Sequence, residues 1–198
     1  MSGSLIALLS YVFISTFTPG PSNISTASLA VLHGYRNTLK YQAGLAAGVF
    51  LMMFLSGWFS TALLHLFPAL EPILRYVGAA YILYLAFGIL KASYMFNESD
   101  TSSLQFMQGL MLNVLNPKLV VYAFTLFSAF LSPITADLLL LTVACSLLAF
   151  VSFCATSIWA AFGTAIQVFL GNPRLKFGVN LLLALMLVYT ALSLIRIL

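Results

Sequence analysis

Charge is scarce in this sequence. Of 198 residues, 6% are Asp, Glu, Lys or Arg, while 62% are hydrophobic. A soluble domain typically carries about 25% charged residues, so the composition indicates an integral membrane protein with no room for a soluble domain. The acidic residues Glu71, Glu98, Asp100 and Asp137 lie between apolar runs or at their ends. The histidines His33 and His65 also lie near run ends. No apolar run combines His with a carboxylate, and no serine has His and Asp partners at membrane depth. A membrane metalloprotease, a metal-ion exporter with anionic or soft ligands, and an intramembrane hydrolase are therefore not expected. No metal, cofactor or enzymatic activity is indicated. The two cysteines, Cys145 and Cys154, share one apolar run. Their spacing puts them on roughly opposite faces of a helix, which argues against a shared metal or an intrahelical disulfide and leaves them as small apolar fillers. The net charge is +4. The basic residues sit mainly in loops, where they set membrane topology, and no nucleic-acid partner is expected.

What the chain has is length in apolar runs. It offers about six helical spans of roughly 20 residues with short loops. The expected spans are 5–31, 41–66, 73–93, 104–131, 138–170 and 175–197. Span five is longer than one crossing needs, so it tilts or projects. The first 30 residues contain no basic residue, and Arg36 is the first. A signal peptide wants a charged start, so a retained first helix is favoured. The one polar linker, 97–103, divides the chain into repeat one, 1–96, and repeat two, 104–198, within a single transmembrane domain. Arg36, Lys40, Lys91, Arg174 and Lys176 fall in loops on one side, and Arg75 and Arg196 on the other. This bias favours both termini outside the cytoplasm. Gly44 and Gly48, and Thr156, Ala160 and Thr164, form small-residue faces suited to close helix packing. Such faces pack within one chain or between two, so a homodimer is compatible with them.

Two proline motifs interrupt the spans. Thr18-Pro19-Gly20-Pro21-Ser22-Asn23 breaks span one and Asn116-Pro117-Lys118 breaks span four. Pro19 and Pro117 lie 98 residues apart, one in each half. Proline in a helix interior deletes a backbone hydrogen bond. In lipid, unpaired backbone groups are tolerated only where they line a cavity or are buried in protein. Paired broken helices in corresponding halves point to the binding site of a secondary transporter. Three spans per half place the second half upside down relative to the first. The expected fold is therefore all-α, with six transmembrane helices as two inverted repeats, each with a broken first helix.

The chemistry concentrates at those breaks. Lys118 is the one formal charge well inside an apolar run, where insertion costs on the order of 3 kcal/mol. Pro21 suits the first position of a restarting helix. That restart leaves the N–H groups of Ser22, Asn23 and Ile24 without helical acceptors and makes a site for a carboxylate. Asn23 and Asn116 can hydrogen-bond in both directions. Tyr122, Trp159 and Tyr189 are aromatic candidates for cation–π contact with an ammonium group.

On these residues the sequence resembles the lysine exporter (LysE/RhtB) family of bacterial amino-acid exporters. The matching features are the two proline motifs, His33-Gly34, Gly44, Gly78-Ala79-Ala80-Tyr81 and, for the branch exporting cysteine and O-acetylserine, the segment Leu182 to Tyr189. The resemblance implies a six-span bacterial inner-membrane antiporter with lipid around it and an amino-acid substrate. It also implies that Pro19, Gly20, Pro21, Asn23, Asn116, Pro117 and Lys118 bind substrate; Ser22 and Tyr122 join them from the residue reading. One buried cation and no buried anion suit a substrate with one carboxylate and no net positive charge, such as cysteine, O-acetylserine, homoserine or threonine. The lack of a buried carboxylate leaves the substrate or Lys118 to carry any coupled proton. A small-anion or lipid-headgroup transporter on the same frame, and a non-transporting assembly subunit, are the rival readings.

Overall fold

The computed structural model describes residues 2–59, 73, 76–77, 79–87, 90, 106–169 and 173–196, and these are helical except at short turns. The expectations for Glu71, Arg75, Gly78, Lys91 and linker 97–103 lie outside the described residues. The chain runs α1 (Ser2–Phe17), α2 (Pro21–His33) and α3 (Tyr35–Trp58). A helical stretch at 79–87 follows. Then come α4 (Phe106–Val114), α5 (Pro117–Ala129), α6 (Leu138–Phe169) and α7 (Pro173–Arg196).

Among the described residues, α3 and α6 are each long and apolar enough to cross a membrane unbroken. Two further crossings are bent pairs. The axis turns by 44° between α1 and α2, and by 61° between α4 and α5. Both bends fall at the proline motifs, and both second halves begin with proline at the first helical position. Proline has no N–H to lose there and its fixed φ suits a helix start.

Between expected spans 5–31 and 41–66 the turn is a single residue. Gly34 adopts φ 78°, and α3 begins at Tyr35. A residue with a Cβ is strained at that φ, so glycine allows two helices to abut without a linker. Asp137 opens α6 as expected: its Oδ1 accepts from the Leu139 and Leu140 N–H groups at 2.9 and 3.0 Å. At 32 residues, α6 is about 48 Å long against a hydrocarbon core of about 30 Å. Its outer face exposes Leu139, Leu140, Val143, Leu147, Phe150, Ile158 and Phe162. That face suits lipid, since an apolar helix side has no reason to avoid hydrocarbon.

The inner faces meet through small residues. A Cβ on Gly44 would collide with the Phe106 carbonyl oxygen, and one on Gly109 with the Tyr41 carbonyl oxygen. These two glycines let α3 and α4 touch backbone to backbone. Gly163 does the same for α6 against Ala27 of α2, beside the buried Thr156 and Ala160. Two apolar clusters result. One joins Ile24, Val31, Tyr41, Leu45, Ile82, Leu112 and Leu187. The other joins Val49, Met53, Leu119, Tyr122, Phe127, Leu141 and Cys145. Cys145 is buried and Cys154 half-buried, and both are free thiols.

Candidate functional site

The first break is held open by side chains from elsewhere in the chain. The last carbonyls of α1 have no partners within a helix that stops at Phe17. Asn23 Nδ2 donates to the Thr16 and Thr18 carbonyl oxygens at 2.9 and 3.0 Å. Trp159 Nε1 donates to the Phe17 carbonyl oxygen at 3.2 Å. The Thr16, Phe17 and Thr18 carbonyls at the end of α1 thereby find protein donors. Across the break, Gly20 is extended and caps α2 without a side chain. Ile24 N–H donates to the Gly20 carbonyl oxygen at 2.9 Å. Ile24 therefore does not belong with the unpaired donors expected there; the helical ladder reaches it at the fourth residue after the cap. The donors left outside the ladder are the N–H groups of Ser22 and Asn23.

The second break caps itself. Asn116 Oδ1 accepts from Lys118 N–H at 3.0 Å, and the Asn116 carbonyl accepts from Leu119 and Val120. Lys118 is the second residue of α5. Its Nζ donates to Thr18 Oγ1 at 3.1 Å, which joins the two breaks across 100 residues of sequence. A Cβ on Gly20 would stand 3.1 Å from the same Nζ. Gly20 is thus needed for the approach of Lys118 rather than for its own backbone, which any residue can adopt.

Between the breaks lies a partly open cavity of about 60 Å³. A water needs on the order of 10–15 Å³ of such space, so there is room for roughly four to six waters or a few small heavy-atom groups. Gly20, Pro21, Ser22, Asn23, Asn116, Lys118 and Tyr122 line it. Pro19 and Pro117, also expected as site residues, are not on its wall. They shape the breaks: Pro117 fixes the start of α5, and Pro19 is exposed on the outside of the turn. Of the three aromatic candidates, only Tyr122 reaches the cavity. Trp159 is spent on Phe17, and Tyr189 is 74% exposed on α7.

The structure adds residues that sequence reasoning missed: Ser15, Thr16, Asn113 and Ser152 among the polar ones, with Val49, Leu119 and Leu148 as the apolar wall. Asn113 had a usable signal, since a carboxamide inside an apolar span is expensive unless partnered. Ser15 and Ser152 had none, because serine in a membrane helix can bond its own preceding turn.

The electrostatics have one sign. Among the described residues, Lys118 is the only formal charge on the wall, and none of them brings a carboxylate there. Each helix N-terminus carries the equivalent of about +0.5 charge. α2 and α5 both begin at the wall, so the cavity is positive from two dipoles and one ammonium. Tyr122 adds an unspent group. It is 8% exposed, and its hydroxyl lacks a hydrogen-bond partner among the described residues, although the Thr16 side chain stands nearby. Among the described residues, no group of His, Cys, Asp or Glu is placed to hold a metal.

Comparison with known proteins bears on the same arrangement. The family model for the LysE type translocator matches residues 13–197. The chain belongs to the LysE type translocator family. This translocator is therefore a multi-pass membrane transporter of the amino-acid export class, not an enzyme. It is 32% identical over 198 residues to the cysteine/O-acetylserine efflux protein of Klebsiella pneumoniae subsp. pneumoniae, covering 98% of this chain and 99% of the relative. It is 33% identical over 191 residues to the protein of that name from Escherichia coli O1:K1 / APEC, covering 94% and 95%. A Salmonella choleraesuis relative, also so named, is 32% identical over 189 residues, covering 94% and 95%. No solved structure matches the translocator significantly.

Proposed function

We propose that this translocator exports small neutral amino acids such as cysteine, O-acetylserine, homoserine or threonine across the bacterial inner membrane. The observation that carries the reading is that Lys118 Nζ and the first turn of α2 open on one small cavity to whose wall the described residues bring no carboxylate. A substrate carboxylate would meet the ammonium of Lys118 and the free N–H groups of Ser22 and Asn23. Charge-assisted bonds of this kind are roughly twice as strong as neutral ones. The substrate ammonium has neutral acceptors on the wall in the hydroxyls of Ser15, Thr16 and Ser152. A lysine or arginine side chain would bring a second positive charge into an already positive space. The names of the relatives, and a cavity of a few small groups, support short uncharged side chains.

The transport cycle that suits this site is alternating access on six helices. The halves 1–96 and 104–198 would be inverted repeats that rock about the two breaks. The 44° and 61° bends, each restarted by proline at the first helical position, support that relation. Exchange against protons would carry the proton on the substrate or on Lys118, since the cavity wall offers no carboxylate. The small-residue helix faces are engaged within the chain, so a homodimer would rest on other surfaces.

The test is an efflux panel in cells and proteoliposomes, with cysteine, O-acetylserine, homoserine, threonine, leucine and lysine. Saturable export of the small neutral members, with lysine excluded, is the expected outcome. Export of lysine at comparable efficiency, or no export of any amino acid by correctly inserted protein, would overturn the proposal.

A further inference from the structure

We infer that Asn113 is a positioning residue for substrate binding: acting through Ser22, it holds the first turn of α2 in the aim that a carboxylate needs. The inference rests on the reading of that turn as the carboxylate site. Asn113 sits on α4 and is 2% exposed. Its Oδ1 accepts from Ser22 Oγ at 2.6 Å. Its Nδ2 donates to the Leu45 carbonyl oxygen on α3 at 2.7 Å. One carboxamide therefore ties α2 and α3 to α4, accepting on one side and donating on the other.

The residue type follows from that double duty. An ionised Asp accepts only, and Lys donates only. Gln would carry both groups on a longer stem. Asn113 Oδ1 and Nδ2 already reach both partners at 2.6 and 2.7 Å, so a longer stem would misplace them; Gly48 on α3 leaves room for the Asn113 stem, since a Cβ there would stand 2.8 Å from Asn113 Cβ. Ser22 is tied from its other side as well: its carbonyl accepts from Ser25 Oγ at 3.1 Å and Thr26 Oγ1 at 2.7 Å. The side chain and the carbonyl of Ser22 are both fixed, which leaves its backbone N–H in a defined direction. That N–H is one of the two donors outside the ladder of α2. Pre-orienting a donor cuts the ordering cost of binding, and loosening it returns that cost to the affinity.

The experiment separates aim from scaffolding. Ser22→Ala deletes the donor and leaves the Asn113–Leu45 bond in place. Its yield and thermal midpoint should match the parent, while KM for efflux rises about 3- to 10-fold with little change in maximal rate. Ser22→Thr restores a hydroxyl and should recover most of the affinity. Asn113→Leu should raise KM in the same way. The double variant should be no worse than Asn113→Leu alone, because that change already removes the Ser22–Asn113 bond. Should Asn113→Leu fail to insert, the contrast between Ser22→Ala and Ser22→Thr still decides. An unchanged KM in Ser22→Ala, or effects that multiply in the double variant, would overturn the inference. If Lys118→Met raises KM while Ser22→Ala does not, the carboxylate site stands and Asn113 has no part in it. If the parent neither exports nor binds any amino acid, the site reading fails first.

Discussion

Replacing Lys118 by Met should move affinity and stability in opposite directions. A hydrogen bond to a charged group contributes about 1.5–3 kcal/mol. Lost from a bound carboxylate, that is roughly a 10- to 150-fold rise in KM. The fold loses less. Within the protein, the ammonium makes one hydrogen bond, to Thr18 Oγ1 at 3.1 Å, at the exposed edge of the cavity. As a bond to a charged group it contributes at most about 1.5–3 kcal/mol. Against it stands the insertion cost of a lysine at membrane depth, on the order of 2.5–3.5 kcal/mol, which methionine removes. The net effect on stability is neutral to favourable. Uptake into inside-out vesicles gives KM, and thermal unfolding in detergent gives the midpoint. Lys118→Arg keeps a cation in a different geometry and should fall between the two. A KM within twofold of the parent at equal protein, or a midpoint that drops by several degrees, would refute the reasoning, since the lysine would then serve the fold and not the substrate.

Four further substitutions, one of them with a control, test neighbouring steps. Gly20→Ala places a Cβ 3.1 Å from Lys118 Nζ, the far end of a flexible side chain; normal expression with weakened transport is expected in the same vesicle assay. Tyr122→Phe removes a buried hydroxyl that meets no hydrogen-bond partner in good geometry among the described residues, so the thermal midpoint should hold or rise. Asp137→Ala removes the cap on Leu139 and Leu140; it should lower stability by about 0.5–2 kcal/mol in detergent unfolding and leave KM alone. Gly109→Ala drives a methyl group into the Tyr41 carbonyl; a loss of about 1–3 kcal/mol is expected, whereas Gly178→Ala, with open space around it, should unfold like the parent.

The sequence was most legible where a residue acts on its own backbone. Pro21 and Pro117 announce two helix starts by lacking an N–H, and both helices begin there. Asp137 before an apolar run announces a cap, and it is one. Lys118 stands out as a buried charge in any apolar context. The residues that act across the fold were harder to see. Asn23 looked like a substrate ligand, yet its amide N–H groups are spent on Thr16 and Thr18. That assignment depends on how sharply α1 turns into α2, and the motif alone does not fix the angle. Asn113 pairs with Ser22 from 91 residues away, a distance no local pattern spans. Gly109 lies in a segment with no repeated small residue, so only the α3–α4 crossing reveals why it has no side chain.

The placement of Lys118 is itself an argument about the ligand. A cation in the first turn of a helix sits at the wrong end of the macrodipole, an unfavourable position by about 0.3–1 kcal/mol. Here the first turn of α2 faces the same cavity and adds a second positive end. A structural lysine would relieve this by pairing with a carboxylate, and none lines the wall among the described residues. Thr18 offers a neutral oxygen, which solvates the ammonium without cancelling its charge. Three positive features of independent origin thus converge where only Thr18 and solvent answer them. An arrangement of that kind destabilises the resting protein slightly and favours whatever anion enters. The same balance limits what the anion can carry with it. A neutral amino acid brings one negative and one positive group, and its ammonium can turn toward the wall hydroxyls of Ser15, Thr16 and Ser152. Lysine brings a second ammonium for which the wall offers hydroxyls but no charge. Discrimination against cationic substrates therefore follows from what the cavity is missing as much as from what it holds.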